Sequence, residues 1–226
     1  MAEWRLLRGW SSAELKERLM RLPDTPLNFD GVEADMTVDN GWHHYYSEAV
    51  IAREPELEAR FDRARAALTN YAFSKPSIVT AHFDPDVPLL ARRLLLEVNI
   101  LGVHYLCPAL VNKVRDEPDA FGFRYDTLEG HIERGVEWFV ITRSAGEIRF
   151  RIEARWRRAP LPNWWSRVGF VLLSGVYQRH WHREAHRRLS RLACYGSIRR
   201  PTKDAAGLAH QGVDVKFTYF HKGKVI

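Results

Sequence analysis

Residues 147–156 read Glu-Ile-Arg-Phe-Arg-Ile-Glu-Ala-Arg-Trp, a strict alternation. Ile148, Phe150, Ile152, Ala154 and Trp156 fall on one side, and Glu147, Arg149, Arg151, Glu153 and Arg155 on the other. A period of two fits a strand with one face on a core and the other in water. Two more strand-like segments precede it, Asp119 to Leu128 and His131 to Arg143, with turns at Glu129-Gly130 and Ser144-Ala145-Gly146. Pro160-Leu161-Pro162 ends the last strand, and Asn163 can cap a helix that runs to about Leu192. Strands joined by short turns pair antiparallel, and a helix leaving the last of them can lie back across their apolar face. The expected fold class is α+β: a curved antiparallel sheet packed on a long C-terminal helix, with N-terminal helices.

Ser11 to Leu22 predicts one of those helices, with Ser11 and Glu14 as a capping box and Leu15, Leu19 and Leu22 as its stripe. Pro55 to Tyr71 predicts another, with Pro55 in its first turn and Leu57, Phe61, Ala64, Leu68 and Tyr71 on one face. Pro23 to Gly41 reads as a loop. Ser77 to Phe83, Arg93 to Gly102 and Val103 to Val114 predict strands, the second apolar enough for burial on both faces. Gly135 is expected to mark a bulge. The first half of the long helix is apolar nearly all round. In the second half Trp181, Ala185, Leu189 and Leu192 face inward, and Arg183, Arg187 and Arg191 outward. Val213 to Tyr219 alternates and can add an edge strand to this sheet or to that of a second copy, a route to a homo-oligomer. The expected organisation is an extension over residues 1–50, the main domain over 51–195, and a tail over 196–226.

Between Arg143 and Arg191 stand 12 Arg and 3 Glu, a local balance of +9 on a chain of +6 overall. Solvated outer faces account for such a run, and an anionic partner is the competing role. Nucleic acid is not the expected partner. Cys107 and Cys194 are too few and too far apart for a disulfide framework. Free thiols and the absence of a secretory leader predict a soluble cytoplasmic chain. The longest apolar run, Val168 to Tyr177, contains Ser174 and two Gly and is too short to span a bilayer, so no transmembrane segment is expected. No dinucleotide fingerprint, P-loop, nucleophile elbow or paired Cys-x-x-Cys is present, so neither a cofactor nor a reaction class is implied.

The stretch from Phe121 to Phe139 resembles the signature of an uncharacterised family, a domain of unknown function shared by bacteria and plants. Its pattern is an aromatic-rich strand, Tyr-Gly-Thr-Leu-Pro-Gly-His-Pro-Glu, then Gly-Glu-Glu and an aromatic. Tyr125, Thr127, Leu128, Gly130, His131, Glu133, Gly135, Glu137 and Phe139 stand at matching positions. Asp126, Glu129 and Ile132 depart from it, all around the hairpin. The resemblance covers about Phe61 to Leu192. The order of strands then helix is also similar to the helix-grip superfamily of lipid-transfer proteins, plant allergens and polyketide cyclases (START-like folds), which implies a pocket between sheet and helix.

Candidate chemistry gathers around that hairpin. Asp126 shares a face with Arg124 and is expected in solvent or an ion pair. His131, Glu133 and Glu137 share a parity with Phe139 and Ile141, so Glu137 and His131 are the candidates for acid–base work inside a pocket. Hydrogen bonds that stabilise the turn are the competing role for both. Phe123, Tyr125, Trp138, Phe150, Ile152 and Trp156 would supply an apolar wall, and Tyr125, Thr127, Glu137 or Arg143 would orient a ligand. His182 and His186, four apart, share a helix face; surface or partly buried positions are expected, and no metal site is assigned because a third ligand is missing. Trp164 and Trp165, close to Arg167, are expected to anchor the core at the mouth of the sheet. A module binding a small hydrophobic or amphipathic molecule is therefore the leading expectation. A cyclase- or hydrolase-type enzyme in the same pocket and a basic protein for anionic partners are the alternatives.

Overall fold

The structure, a computed structural model, describes residues 3–159, 164–197, 213–221 and 224–225, and the side chains of 3–159, 176–197 and 213–219. In chain order the elements are β1 (Glu3–Leu6), α1 (Ser12–Arg21), β2 (His43–Arg53), α2 (Leu57–Thr69), β3 (Val79–His82), β4 (Arg93–Ile100) and β5 (Val103–Glu117). Then follow β6 (Ala120–Thr127), β7 (Glu133–Ser144), β8 (Glu147–Arg158), α3 (Trp164–Tyr195), β9 (Lys216–His221) and β10 (Lys224–Val225). All strands join one antiparallel sheet in the order β10-β9-β2-β8-β7-β6-β5-β4-β3, with β1 paired to the start of β5. The expected α+β class holds, and α3 packs against the sheet's inner face.

Two layers of side chains explain this arrangement. Inside, Ile148, Phe150 and Ile152 of β8 meet Phe139 and Ile141 of β7 and Phe121 and Phe123 of β6, with Phe61, Ala64 and Leu68 of α2 and Trp181, Ala185 and Leu189 of α3 above them. The spacing of those three α3 residues is one stripe of a 3.6-residue helix. Outside, the capped helix α1 sets Leu15 against Leu95 and Leu106 together with Leu22, which is why Leu94, Leu95 and Leu96 are buried in succession. Burial on both faces of β4 was legible from its unbroken apolar run.

Several expectations change. The boundary expected at residue 50 falls inside β2, which pairs with β8 on one side and β9 on the other. Along residues 43–51 burial alternates, with Tyr45, Ser47, Ala49 and Ile51 buried. The tail strand β9 pairs with β2 of its own chain, so the tail extends this sheet and that edge of β2 is occupied. Helix α2 starts at Leu57, beyond Pro55. The side chains of Trp164, Trp165 and Arg167 lie outside the described residues. Among the described residues, no helix is long and apolar enough to cross a membrane.

Gly135 is not a bulge. The β7–β8 register passes through Gly135 and Trp156 without a shift, whereas register shifts fall at Val50/Ala52 and Val111/Lys113. Glycine is required there because φ is +141° and a Cβ would stand 2.9 Å from Trp156 Cα and closer still to the Arg155 carbonyl oxygen. Gly135→Ala is expected to cost at least about 2 kcal/mol in a denaturant titration. Gly31→Ala, also at positive φ (+97°) but with its nearest contact at 4.0 Å, is expected to cost clearly less. Equal losses would contradict the close-approach explanation.

Candidate functional site

Strand register aligns Tyr45 of β2, Ala154 of β8, Glu137 of β7, Tyr125 of β6 and Val111 of β5 in one inward-facing row. The adjacent row holds Ser47, Ile152, Phe139 and Phe123, each at most 1% exposed. Ala154 is the small member between Ile152 and Trp156 on its own strand. It reaches less far toward α3 than either, and interiors otherwise pack to crystal-like density. Above it lies a partly open cavity of ≈ 90 Å³, lined from the sheet by Tyr45, Tyr125, Glu137 and Ala154. Tyr177, Gln178, Trp181 and His182 of α3 form the opposite wall, and Val98 and Ile100 of β4 with Ile132 close its sides. A void of that size admits several waters or part of a small organic molecule.

Two carboxyl groups enter this largely apolar space. Tyr125 donates its hydroxyl proton to Glu137 Oε2 in a short hydrogen bond. His182 Nε2 lies 3.9 Å from Glu137 Oε1. Gln178 Nε2 donates to Glu133 Oε1 at 3.2 Å. Burial pushes Glu137 up to about 8, with Glu133 nearby adding to the rise and the Tyr125 hydrogen bond opposing it. Burial likewise pushes Glu133 up to about 7. At neutral pH, therefore, Glu137 is mainly a neutral acid, able to donate a proton or a hydrogen bond.

The imidazoles around it are neutral as well. The Glu133 backbone N–H donates to His131 Nδ1 at 3.0 Å, and burial lowers His131 to about 4. Ser47 Oγ lies 2.7 Å from His182 Nδ1 and 2.9 Å from His186 Nε2. One hydroxyl proton serves one imidazole only, so Ser47 must accept from the other and the two tautomers are coupled. Desolvation holds His182 well below its usual range and His186 at about 3. Cys107, also on the wall, is pushed up to about 12 by burial and is no nucleophile at neutral pH.

Of the residues predicted from sequence, Tyr125, Glu137 and His131 line the cavity, and His131 also makes the turn bond that was its competing role. The others stand elsewhere. Thr127 Oγ1 accepts from Gly135 N at 2.8 Å and donates to Asn28 Oδ1 at 2.6 Å, tying the hairpin to the N-terminal loop. Trp138 points to the opposite face of β7, donating Nε1–H to Glu33 at 3.0 Å, as strand parity with Glu137 requires. Arg143 pairs with Asp119 at 3.0 Å at the far end of the strand. Phe150 fills the solid core, and Trp156 stacks on His43 with ring centroids 4.4 Å apart.

Asp126 takes the expected ion pair with Arg124, at 2.7 Å, although both are buried rather than in solvent. His182 and His186, expected at or near the surface, are 2% and 0% exposed, because Ser47 gives both a polar partner under α3. Among the described residues no group of three or more His, Cys, Asp or Glu is placed to hold a metal ion. Residues the sequence reading missed include Tyr45, Glu133 and Tyr177. Alternation in 43–51 marked Tyr45, and the parity shared with Glu137 marked Glu133. Tyr177 carried no such signal: its hydroxyl donates to the Asn99 carbonyl at 2.7 Å, a contact set by the fold.

The family described as "Domain of unknown function (DUF1990)" matches residues 29–188. The match takes in the N-terminal loop and β2, reaching further than the resemblance read from Phe61 onward. A "UPF0548 protein" of Deinococcus radiodurans is 34% identical over 153 residues, covering 62% of this chain and 75% of that protein. Among solved structures, the di-domain ARO/CYC StfQ from the steffimycin biosynthetic pathway has a TM-score of 0.47 at 9% identity, over 67% of this chain and 50% of that one. Human STARD10 has a TM-score of 0.40 at 7% identity, over 83% of this chain and 82% of that one.

The raised carboxyl has a thermodynamic consequence. An unfolded Glu137 ionises near 4.5 while the folded one holds its proton to about 8, so rising pH between those values favours unfolding. Glu137→Gln, which cannot ionise, is expected to gain melting temperature on the wild type from pH 5 to pH 8, by several degrees. Thermal scans of both proteins across that range make the comparison, and a difference that does not change with pH would contradict the desolvated placement.

Proposed function

We propose that this chain, which belongs to the DUF1990 family, is a binding protein that holds a small, largely apolar molecule in the cavity between its sheet and α3. The observation that carries this reading is the break in packing over Ala154, where a row of large side chains opens onto polar groups instead of closing. An apolar hollow that a larger side chain could have filled forgoes packing contacts unless a ligand occupies it. Tyr45, Tyr71, Tyr125 and Trp181 offer ring surface to an apolar body, and Glu137, Glu133 and Gln178 offer hydrogen bonds that fix its orientation. Cys107 and Cys194 are free thiols, which supports a cytoplasmic setting.

One observation favours a second reading, acid–base catalysis on the bound molecule. Glu137, a neutral acid at pH 7, and His182, a neutral imidazole, stand 3.9 Å apart in the same cavity. A general acid and a base of that kind serve proton transfer. The basic-interaction reading has less support. Arg149 reaches Glu147 at 2.7 Å and Glu48 at 3.6 Å, and Arg155 reaches Glu153 at 3.5 Å, so part of the Arg surplus is spent on ion pairs across the outer face.

Native mass spectrometry of freshly purified protein tests the binding reading. The wild type is expected to carry a copurifying small molecule, Ala154→Leu to lose it while melting no lower than the wild type, and Glu137→Gln to retain less of it. Equal retention by Ala154→Leu would overturn the placement in this cavity. Conversion of the released molecule on incubation with the protein would favour catalysis over simple binding.

A further inference from the structure

Resting on that cavity being a ligand site, we infer that its ligand class is a cationic amphipathic amine: an ammonium group seated between Glu137, Glu133 and Tyr45, with an apolar or aromatic body against the tyrosines and Trp181. Two carboxyl groups line the cavity, and among the described residues its wall contains no Lys and no Arg. That is a local inversion of a chain with 34 Lys and Arg against 28 Asp and Glu. Tyr45 is 4% exposed, lines the same cavity, and its hydroxyl has no hydrogen-bond partner. An unpartnered buried hydroxyl costs free energy unless something from outside completes it.

The two carboxyls each have two oxygens, of which the hydrogen bonds from Tyr125 and Gln178 engage Oε2 of Glu137 and Oε1 of Glu133. Glu137 already receives the Tyr125 proton, Glu133 receives one from Gln178, and His131 Nδ1 receives the Glu133 backbone N–H. An ammonium has three donors and no acceptor, which complements that set. Its bonds to carboxylate are charge-assisted and about twice as strong as neutral ones. Tyr45, Tyr71, Tyr125 and Trp181 in the same wall supply rings of the kind that attract a cation. A carboxylate or phosphate ligand would instead meet two acids with no Lys or Arg among the described lining residues to balance it.

Charge balance then predicts a proton. The groups that face Glu137 are Tyr125 on β6, Glu133 on its own strand, Tyr45 on β2, Tyr71 just after α2, and His182 on α3. Burial keeps His182 neutral and both tyrosines 45 and 71 protonated, so none of them supplies a cation. A bound ammonium stabilises the ionised form of Glu137, and up to one proton leaves to solvent as the amine enters.

Calorimetry with three probes of similar shape tests this: 2-phenylethylamine, 2-phenylethanol and 3-phenylpropanoate, at pH 6 and pH 8. The amine is expected to bind at least about tenfold tighter than the alcohol at pH 8, with the advantage shrinking at pH 6 and the carboxylate weakest. Repeating the amine titration in buffers of different ionisation enthalpy is expected to show net proton release at pH 7. Glu137→Gln is expected to collapse the ratio of amine to alcohol affinity; Glu133→Gln gives the same comparison should the first variant fail to fold. An alcohol that binds as tightly as the amine, or a carboxylate that binds tightest, would overturn the amine assignment and leave the cavity as a ligand site. Absence of binding by all three would count against both.

Discussion

Desolvation of the Glu137 carboxyl is the constraint around which the inner side of this sheet is organised. A carboxyl in an apolar interior is tolerated when it is hydrogen-bonded and neutral, and the fold supplies both conditions through strand register. Tyr125 stands directly opposite on β6 and donates to it, while Ala154 directly opposite on β8 leaves it room. One row further along, Ile152, Phe139 and Phe123 close the space completely. The difference between a solid core and a cavity is thus set largely by which residues fall in one transverse row, with Tyr71, His131 and Ile132 completing the wall from the connections between elements.

Opposite that row, the outer face is held by charge. Arg124 is 5% exposed, pairs with Asp126 at 2.7 Å and with Glu33 at 2.6 Å, and Trp138 donates to the same Glu33. Glu33 belongs to the segment between α1 and β2, so the loop is drawn over the outer face, where Met36 and Trp42 bury Val136. Removing one member of such a buried set leaves an uncompensated charge. The half-buried pairs on β8 are partly screened by solvent and contribute less individually.

The fold could be read from the sequence where a single period persisted. Alternation in Glu147–Trp156 and the stripe Trp181-Ala185-Leu189 set β8 and α3 because burial on one face leaves no other register. Burial alternates along β2 as well, but its tyrosines and histidines weaken the apolar contrast on which such readings depend. Parity also marked Glu137 as inward-facing, and the same rule put Trp138 outward, so the two could not share a wall. What could not be read is how strands pair at distance. Ala154 becomes the floor of a cavity only because Tyr45, Glu137 and Tyr125 stand beside it in the sheet, and nothing local in any of those segments encodes the others. The burial of His182 and His186 had the same origin, since Ser47, 135 residues away from His182, supplies the partner that makes it tolerable.

The most direct measurement is the side-chain carboxyl resonance of Glu137, followed by carbon-13 NMR from pH 4 to pH 9 in protein stripped of any bound molecule and assigned with Glu137→Gln. The carboxyl is expected to stay protonated through pH 6 and to titrate near 8. A Glu137 resonance that titrates at the usual carboxylate value, already ionised by pH 6, would place the group in water and contradict the cavity on which the binding reading stands.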